Sequence, residues 1–197
     1  KDSIISYTNS RLLPYGIHTG PLVCIFQDKQ NNIWLGTREQ GILRFNPERQ
    51  CAFFFFFFDY QNNKLQNSSV NALHLINNQT ALIGSQEGFS LFNYQTRTFT
   101  NYKGQAINKQ NNYLRGVTTF DEDPQGNYWL GTSGLGIMKW NPKTFQIQGY
   151  NRSSRQTMVF PEDFIFQTSR FSDGNILTLG LGRLSLIDIH KLQTTTF

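Results

Sequence analysis

The hexapeptide Asn32-Ile33-Trp34-Leu35-Gly36-Thr37 returns almost unchanged as Asn127-Tyr128-Trp129-Leu130-Gly131-Thr132, and this recurrence restricts the possible folds more than any other feature. Two weaker echoes, Thr80-Ala81-Leu82-Ile83-Gly84-Ser85 and Asn175-Ile176-Leu177-Thr178-Leu179-Gly180, fall at the same interval. Glycines therefore stand at 36, 84, 131 and 180, separated by 48, 47 and 49 residues. Other anchors keep the register: Val23, Val70, Val117 and Ile165 come before the glycines, and Phe45, Phe92, Trp140 and Ile187 after them. Each of the latter is followed by a polar residue, Asn46, Asn93, Asn141 or Asp188. A period of this length marks a repeat array, in which each unit buries its apolar face on the next.

Within a unit the pattern is one of strands. In the first, residues 23–28 form an apolar run with β-branched and aromatic members, 29–32 a polar turn and 33–37 a second β-prone run. A Gly-closed loop at 38–41, a short strand at 42–45, a turn at 46–49 and a fourth strand at 51–58 complete it. No unit carries a helical apolar period long enough to compete. Four short antiparallel strands per repeat are the signature of a β-propeller blade. The expectation is an all-β propeller segment over residues 1–197, with repeats at about 23–69, 70–116, 117–164 and 165–197. Residues 1–22 would supply an outer strand at 3–7 and a link, from a preceding or a closing blade. Trp34 and Trp129 are expected to fill the gaps between blades, and Gly36, Gly84 and Gly131 to mark places where a neighbouring strand leaves no room for a Cβ.

Composition narrows the function classes. The excess of 18 Lys and Arg over 13 Asp and Glu is small and scattered, with no basic stripe, which argues against direct nucleic-acid binding while tolerating an anionic sugar. No apolar run approaches the roughly 18 to 20 residues of a membrane span, and none reads as a signal peptide, so this segment is not expected to insert into a membrane. Cys24 on an innermost strand and Cys51 on an outermost one should lie on opposite edges of a blade, unbridged, and do not decide the compartment. His18, His74 and His190 hold unrelated positions in the repeat and form no metal set. Asp28, Asp123 and Asp173 each precede the first turn of their repeat and read as turn caps. Glu162-Asp163 is the one acidic pair near the expected ligand face. Neither a catalytic residue, a metal nor a cofactor is expected. The six phenylalanines at 53–58 would turn three rings outward from a strand unless a neighbour or an interface covers them.

Val-x-x-Ile-x-x-Asp-x-x-x-Asn-Ile-Trp-Leu-Gly-Thr, followed by Gly-Ile-Leu-Arg-Phe-Asn, resembles the two-component regulator propeller repeat. The third unit matches better, with Asp121-Glu122-Asp123-Pro124-Gln125-Gly126-Asn127-Tyr128-Trp129-Leu130-Gly131-Thr132 and Gly136-Ile137-Met138-Lys139-Trp140-Asn141; the second and fourth lack the tryptophan. The resemblance implies the extracytoplasmic, periplasmic sensor region of a hybrid two-component system of Bacteroidetes type. Such a region detects oligosaccharides and passes the signal to a histidine kinase, as a homodimer in the full-length receptor. It also favours a larger, seven-bladed ring over a closed four-bladed one.

Ligands of propellers usually meet the face carrying the links between blades and the loops between second and third strands. Here those are 8–22, 59–69, 103–116 and 151–163, and 38–40, 86–87, 133–135 and 181–183. Sugar recognition needs planar polar groups for vicinal hydroxyls and an aromatic face for the ring, while arginine captures a carboxylate or sulfate. Arg38, Tyr113, Arg115, Arg155 and Arg183 are the candidate ligand-binding residues, for an oligosaccharide, an anionic one included. A non-catalytic scaffold for a protein partner is the alternative from another class, and a glycan-cleaving enzyme a third.

Overall fold

The structure, a computed structural model, describes residues 21–48, 51–55, 65, 67–103, 116–153 and 158–197, with 51–55 and 103 as backbone only. The first repeat folds as β1 (Leu22–Gln27), β2 (Ile33–Thr37), β3 (Ile42–Asn46) and β4 (Cys51–Phe55), and the second as β5 (Val70–Leu75), β6 (Thr80–Ser85), β7 (Gly88–Asn93) and β8 (Thr98–Lys103). The third comprises β9 (Val117–Glu122), β10 (Tyr128–Thr132), β11 (Ile137–Trp140) and β12 (Ile147–Tyr150). The fourth comprises β13 (Ile165–Arg170), β14 (Ile176–Gly180), β15 (Leu184–Asp188) and β16 (Gln193–Thr196). Each repeat is a separate four-stranded antiparallel sheet in chain order, and no helix occurs among the described residues. The first strands of successive sheets pack together, β1 on β5, β5 on β9 and β9 on β13, which places them innermost around a common axis. The described residues form four blades of a β-propeller.

Three apolar clusters correspond to the three junctions between blades. Trp34 and Ile42 of the first blade meet Val70, Ile83 and Phe92 of the second. Leu82, Phe89 and Tyr102 of the second meet Val117, Tyr128, Met138 and Trp140 of the third. Trp129, Ile137 and Tyr150 of the third meet Ile165, Ile176 and Ile187 of the fourth. Trp34 and Trp129 are 1% and 0% exposed, and burying a tryptophan removes on the order of 200 Å² from water, about 5 kcal/mol. The glycines beside them do as expected. A Cβ on Gly36 would meet Cys24 Sγ and lie 2.7 Å from Val70 Cγ1; on Gly84 it would lie 2.9 Å from the Val117 carbonyl; on Gly131, 2.7 Å from Ile165 Cγ2. Each glycine admits the innermost strand of the following blade.

Two anchors shift by one residue. Gly36, Gly84 and Gly131 pair with Cys24, Ala72 and Thr119, but the residue paired with Gln167 is Leu179, while Gly180 pairs with Ile165 in the place of Thr37, Ser85 and Thr132. Leu22, rather than Val23, shares the position of Val70, Val117 and Ile165. The first turns also differ. The Asp28 and Asp123 amides bond to the Asn32 and Asn127 carbonyls, but in the fourth blade the Phe171 amide bonds to the Asn175 carbonyl, so Asp173 lies two places further into its turn. Phe145 sits at φ 59° in the turn before β12 rather than in that strand.

Exposed apolar side chains gather on the end blades. Leu22 and Ile25 on β1 are 54% and 72% exposed, and Leu179 and Leu184 on the fourth blade 47% and 38%. Cys24 is free, with burial pushing its thiol up to about 11. The expected strand at 3–7, the phenylalanines 56–58 and His18 lie outside the described residues, as do the side chains of 53–55.

Candidate functional site

The innermost strands carry a shared irregularity that builds a site. In every blade the pairing of the first strand with the second slips by one residue: between Leu22 and Cys24, Val70 and Ala72, Val117 and Thr119, and Ile165 and Gln167. The skipped residues are Val23, Asn71, Thr118 and Phe166. A bulge leaves its extra residue out of the alternation between sheet faces, so here it is free to turn toward the axis instead of toward a neighbouring blade. All four line one cavity of about 610 Å³, together with Gln86, Gly116 and Ser133 among the described residues. Contributions from every blade place this cavity where the blades converge, on the face bearing the links and the loops between second and third strands.

Local hydrogen bonds hold its rim. Thr37, Ser85 and Thr132 end their strands and donate their hydroxyls to the carbonyls of Gly41, Gly88 and Gly136 at 2.9, 3.3 and 2.7 Å, closing each loop on itself. Those glycines have φ of 83°, 134° and 75°, the left-handed region that a side chain resists. Links then clamp the loops: the Gly116 amide donates to the Gln86 carbonyl and its carbonyl accepts from the Ser133 amide, both at 2.8 Å. Inside, the Thr118 hydroxyl donates to the Ile165 carbonyl at 2.6 Å and the Asn71 amide nitrogen to the Val117 carbonyl at 3.5 Å. Phe166 is 56% exposed and Val23 41%.

Of the sequence candidates, Tyr113, Arg115 and Arg155 lie outside the described residues. Arg38 is exposed in the loop after β2, its amide bonded to the Pro21 carbonyl at 3.0 Å. It follows Thr37 as Gln86 follows Ser85 and Ser133 follows Thr132, yet only the latter two line the cavity. Arg183 projects from the loop between β14 and β15, its Nε 3.4 Å from Glu162 Oε1. Arg152 approaches the other oxygen at 3.9 Å and donates to the Pro161 carbonyl at 2.6 Å. The Glu162 side chain is buried between these half-exposed guanidinium groups, joining the last link to the fourth blade; its neighbour Asp163 accepts the Gly134 and Gly136 amides on its backbone carbonyl. The structure does not bring Arg38 and Arg183 together at the cavity. Val23, Asn71, Thr118 and Phe166 escaped the sequence reading because they were counted as ordinary strand positions, whereas Gln86, Ser133 and Gly116 fall in the loops and link assigned to the ligand face but were not among the named candidates. The signal available was the extra residue that each innermost strand needs to keep its partners in register.

The opposite end of the blades is devoted to packing. Asp28 accepts hydrogen bonds from the Gln30 and Asn32 amides, the Asn32 side chain and Trp34 Nε1, the last at 2.9 Å. Asp123 repeats the set with Gln125, Asn127 and Trp129 Nε1, and adds Lys139 at 3.5 Å. Burial works against both charges, but the bonds from tryptophan and asparagine outweigh it and hold both carboxyls below the usual carboxylate value. His74, its ring edge-on to Tyr128 at 5.5 Å, is lowered by burial, which also raises Asp121. Among the described residues no group of three or more His, Cys, Asp and Glu could hold a metal, and no helix is long and apolar enough to cross a membrane.

Known proteins agree with this geometry at the level of the repeat and the fold. Residues 16–39 match the two component regulator propeller family. The matched stretch spans β1, the Asp28 turn and Trp34, the residues that give this propeller repeat its hydrogen-bonded wedge. Among solved structures, the extracellular domain assigned to the hybrid two component system BT3049 from B. thetaiotaomicron superposes with a TM-score of 0.75 at 17% identity, covering 88% of this chain and 23% of that one. That assigned to BT4673 from the same organism gives 0.71 at 16% identity, covering 96% and 23%. The WD40 β-propeller domain of Doa1 gives 0.59 at 14% identity, covering 84% and 49%. The chain thus spans about a quarter of the two bacterial extracellular domains. No curated protein matches it.

Proposed function

We propose that this propeller is part of the ligand-sensing extracytoplasmic region of a hybrid two-component signalling protein, that it binds an oligosaccharide, and that its movement as a rigid body biases a dimeric histidine kinase. One observation carries the binding reading: all four innermost strands bulge at the same place to surround a single cavity on the link-bearing face. The propeller repeat at 16–39 and the fold shared with the extracellular domains of hybrid two component systems support the signalling context and a periplasmic location. The four blades are read as part of a larger ring, since the faces bearing Ile25 and Leu179 are of the kind that neighbouring blades cover. Glu162, one of the acidic groups at this face, is tied to Arg152 and Arg183, which supports binding without catalysis.

Those same exposed end faces favour a second reading, a scaffold that docks a protein partner. Calorimetric titration of the intact extracytoplasmic region with a panel of glycans separates the two. A sensor gives saturable heat with at least one glycan and releases no product; heat with none would leave the scaffold, and a cleaved glycan would reveal an enzyme.

A further inference from the structure

We propose that the axial cavity takes a neutral oligosaccharide, with the Phe166 ring as the platform for a pyranose and Asn71, Gln86, Thr118 and Ser133 as partners for its hydroxyls. This rests on the oligosaccharide-sensing reading and adds the place and the ligand class. Among the described residues the lining holds no ionisable side chain: Val23 and Phe166 are apolar, Asn71, Gln86, Thr118 and Ser133 are neutral and polar, and Gly116 lies between them. An anionic sugar entering such a cavity would give up water around its carboxylate or sulfate with no cation in the described lining to replace it. The described arginines at this face do not supply one, since Arg152 and Arg183 converge on Glu162 and Arg38 stands outside the lining.

Hydrogen-bond polarity points the same way. The Thr118 hydroxyl proton is committed to the Ile165 carbonyl and the Asn71 amide nitrogen to that of Val117. Thr118 thus offers a ligand acceptor oxygen, and Asn71 its amide oxygen together with its second N–H. A sugar hydroxyl has a proton to donate to the Thr118 oxygen, whereas a carboxylate or sulfate is acceptor-only and would face oxygen with oxygen there. Gln86 and Ser133, both exposed, add groups that donate and accept, as vicinal hydroxyls require. Phe166 and Val23 provide the apolar side, and Phe166 is more than half exposed although it follows the fully buried Ile165. The volume of about 610 Å³ lies within the roughly 300–1,000 Å³ of small-molecule sites.

The test is calorimetry on the intact extracytoplasmic region with neutral probes (maltohexaose, xylohexaose, mannohexaose) and anionic ones (hexagalacturonate, heparin hexasaccharide). Wild type is compared with Phe166→Ala, Phe166→Trp and Asn71→Ala. A neutral probe is expected to bind, Phe166→Ala to weaken it at least about tenfold and Phe166→Trp to restore it. Thermal unfolding should stay unchanged, because an exposed ring contributes little to folding. Binding of anionic probes alone, or neutral binding that neither Phe166→Ala nor Asn71→Ala alters, would overturn this inference and leave oligosaccharide sensing standing. Saturable heat from no probe of either class would bring down the sensing reading and this inference with it.

Discussion

The aspartates at 28 and 123 show how much one side chain organises in each tryptophan-bearing blade. Each carboxylate collects the turn amides, the asparagine side chain and the indole N–H, so the turn, β2 or β10 and the wedge between blades are fixed by one charge. A cation completes the arrangement: the Arg44 guanidinium lies 5.4 Å from the centre of the Trp34 ring and the Lys139 ammonium 5.3 Å from that of Trp129. Replacing Asp123 by Ala strips partners from the buried indole and amide and should cost about 2–3 kcal/mol in denaturant unfolding at neutral pH. Folding lowers both carboxyls below their ordinary value of 3.8, so their contribution is complete above that value and fades as pH falls through the lowered ones. In a series of melting temperatures taken toward acid, wild type should therefore lose more stability below about pH 4 than Asp123→Ala does. An equal acid loss in the two would remove Asp123 from this role.

At the level of the strand, close approach decides the spacing of blades. Gly131 stands where a Cβ would come within 2.6 Å of Thr119 Cγ2 and 2.7 Å of Ile165 Cγ2, one in its own blade and one in the next. Gly131→Ala should destabilise by about 1–3 kcal/mol, and equilibrium unfolding that shifts by less than the error of the measurement would refute the contact. Leu179 shows the converse, since it holds the same position with a full side chain where no described blade follows. Trp34, Trp129 and the glycines beside them were legible in the sequence because a wedge and a close approach each demand one residue type at one phase of the period. Val23, Asn71, Thr118 and Phe166 were not legible: the bulge asks only for an extra residue and accepts valine, asparagine, threonine or phenylalanine alike. The same insensitivity let Gly180 pass for the counterpart of Gly36 and Asp173 for that of Asp28, because a slip of one or two residues within the fourth repeat leaves its overall length near the period.

Seen whole, the molecule divides its labour by end. One end of the blades holds the aspartate turns and rigid packing, and the other holds loops locked by Thr37, Ser85 and Thr132 around the shared cavity. The most direct measurement is a crystal structure of the extracytoplasmic region with the tightest-binding neutral hexasaccharide from the titration panel. A sugar ring seated on Phe166, with hydroxyls within hydrogen-bond distance of Asn71, Gln86 and Ser133, is the predicted result. Sugar lodged instead in the groove of about 560 Å³ beside Lys139, Asn141 and Gln148, with the axial cavity free of it, would contradict it.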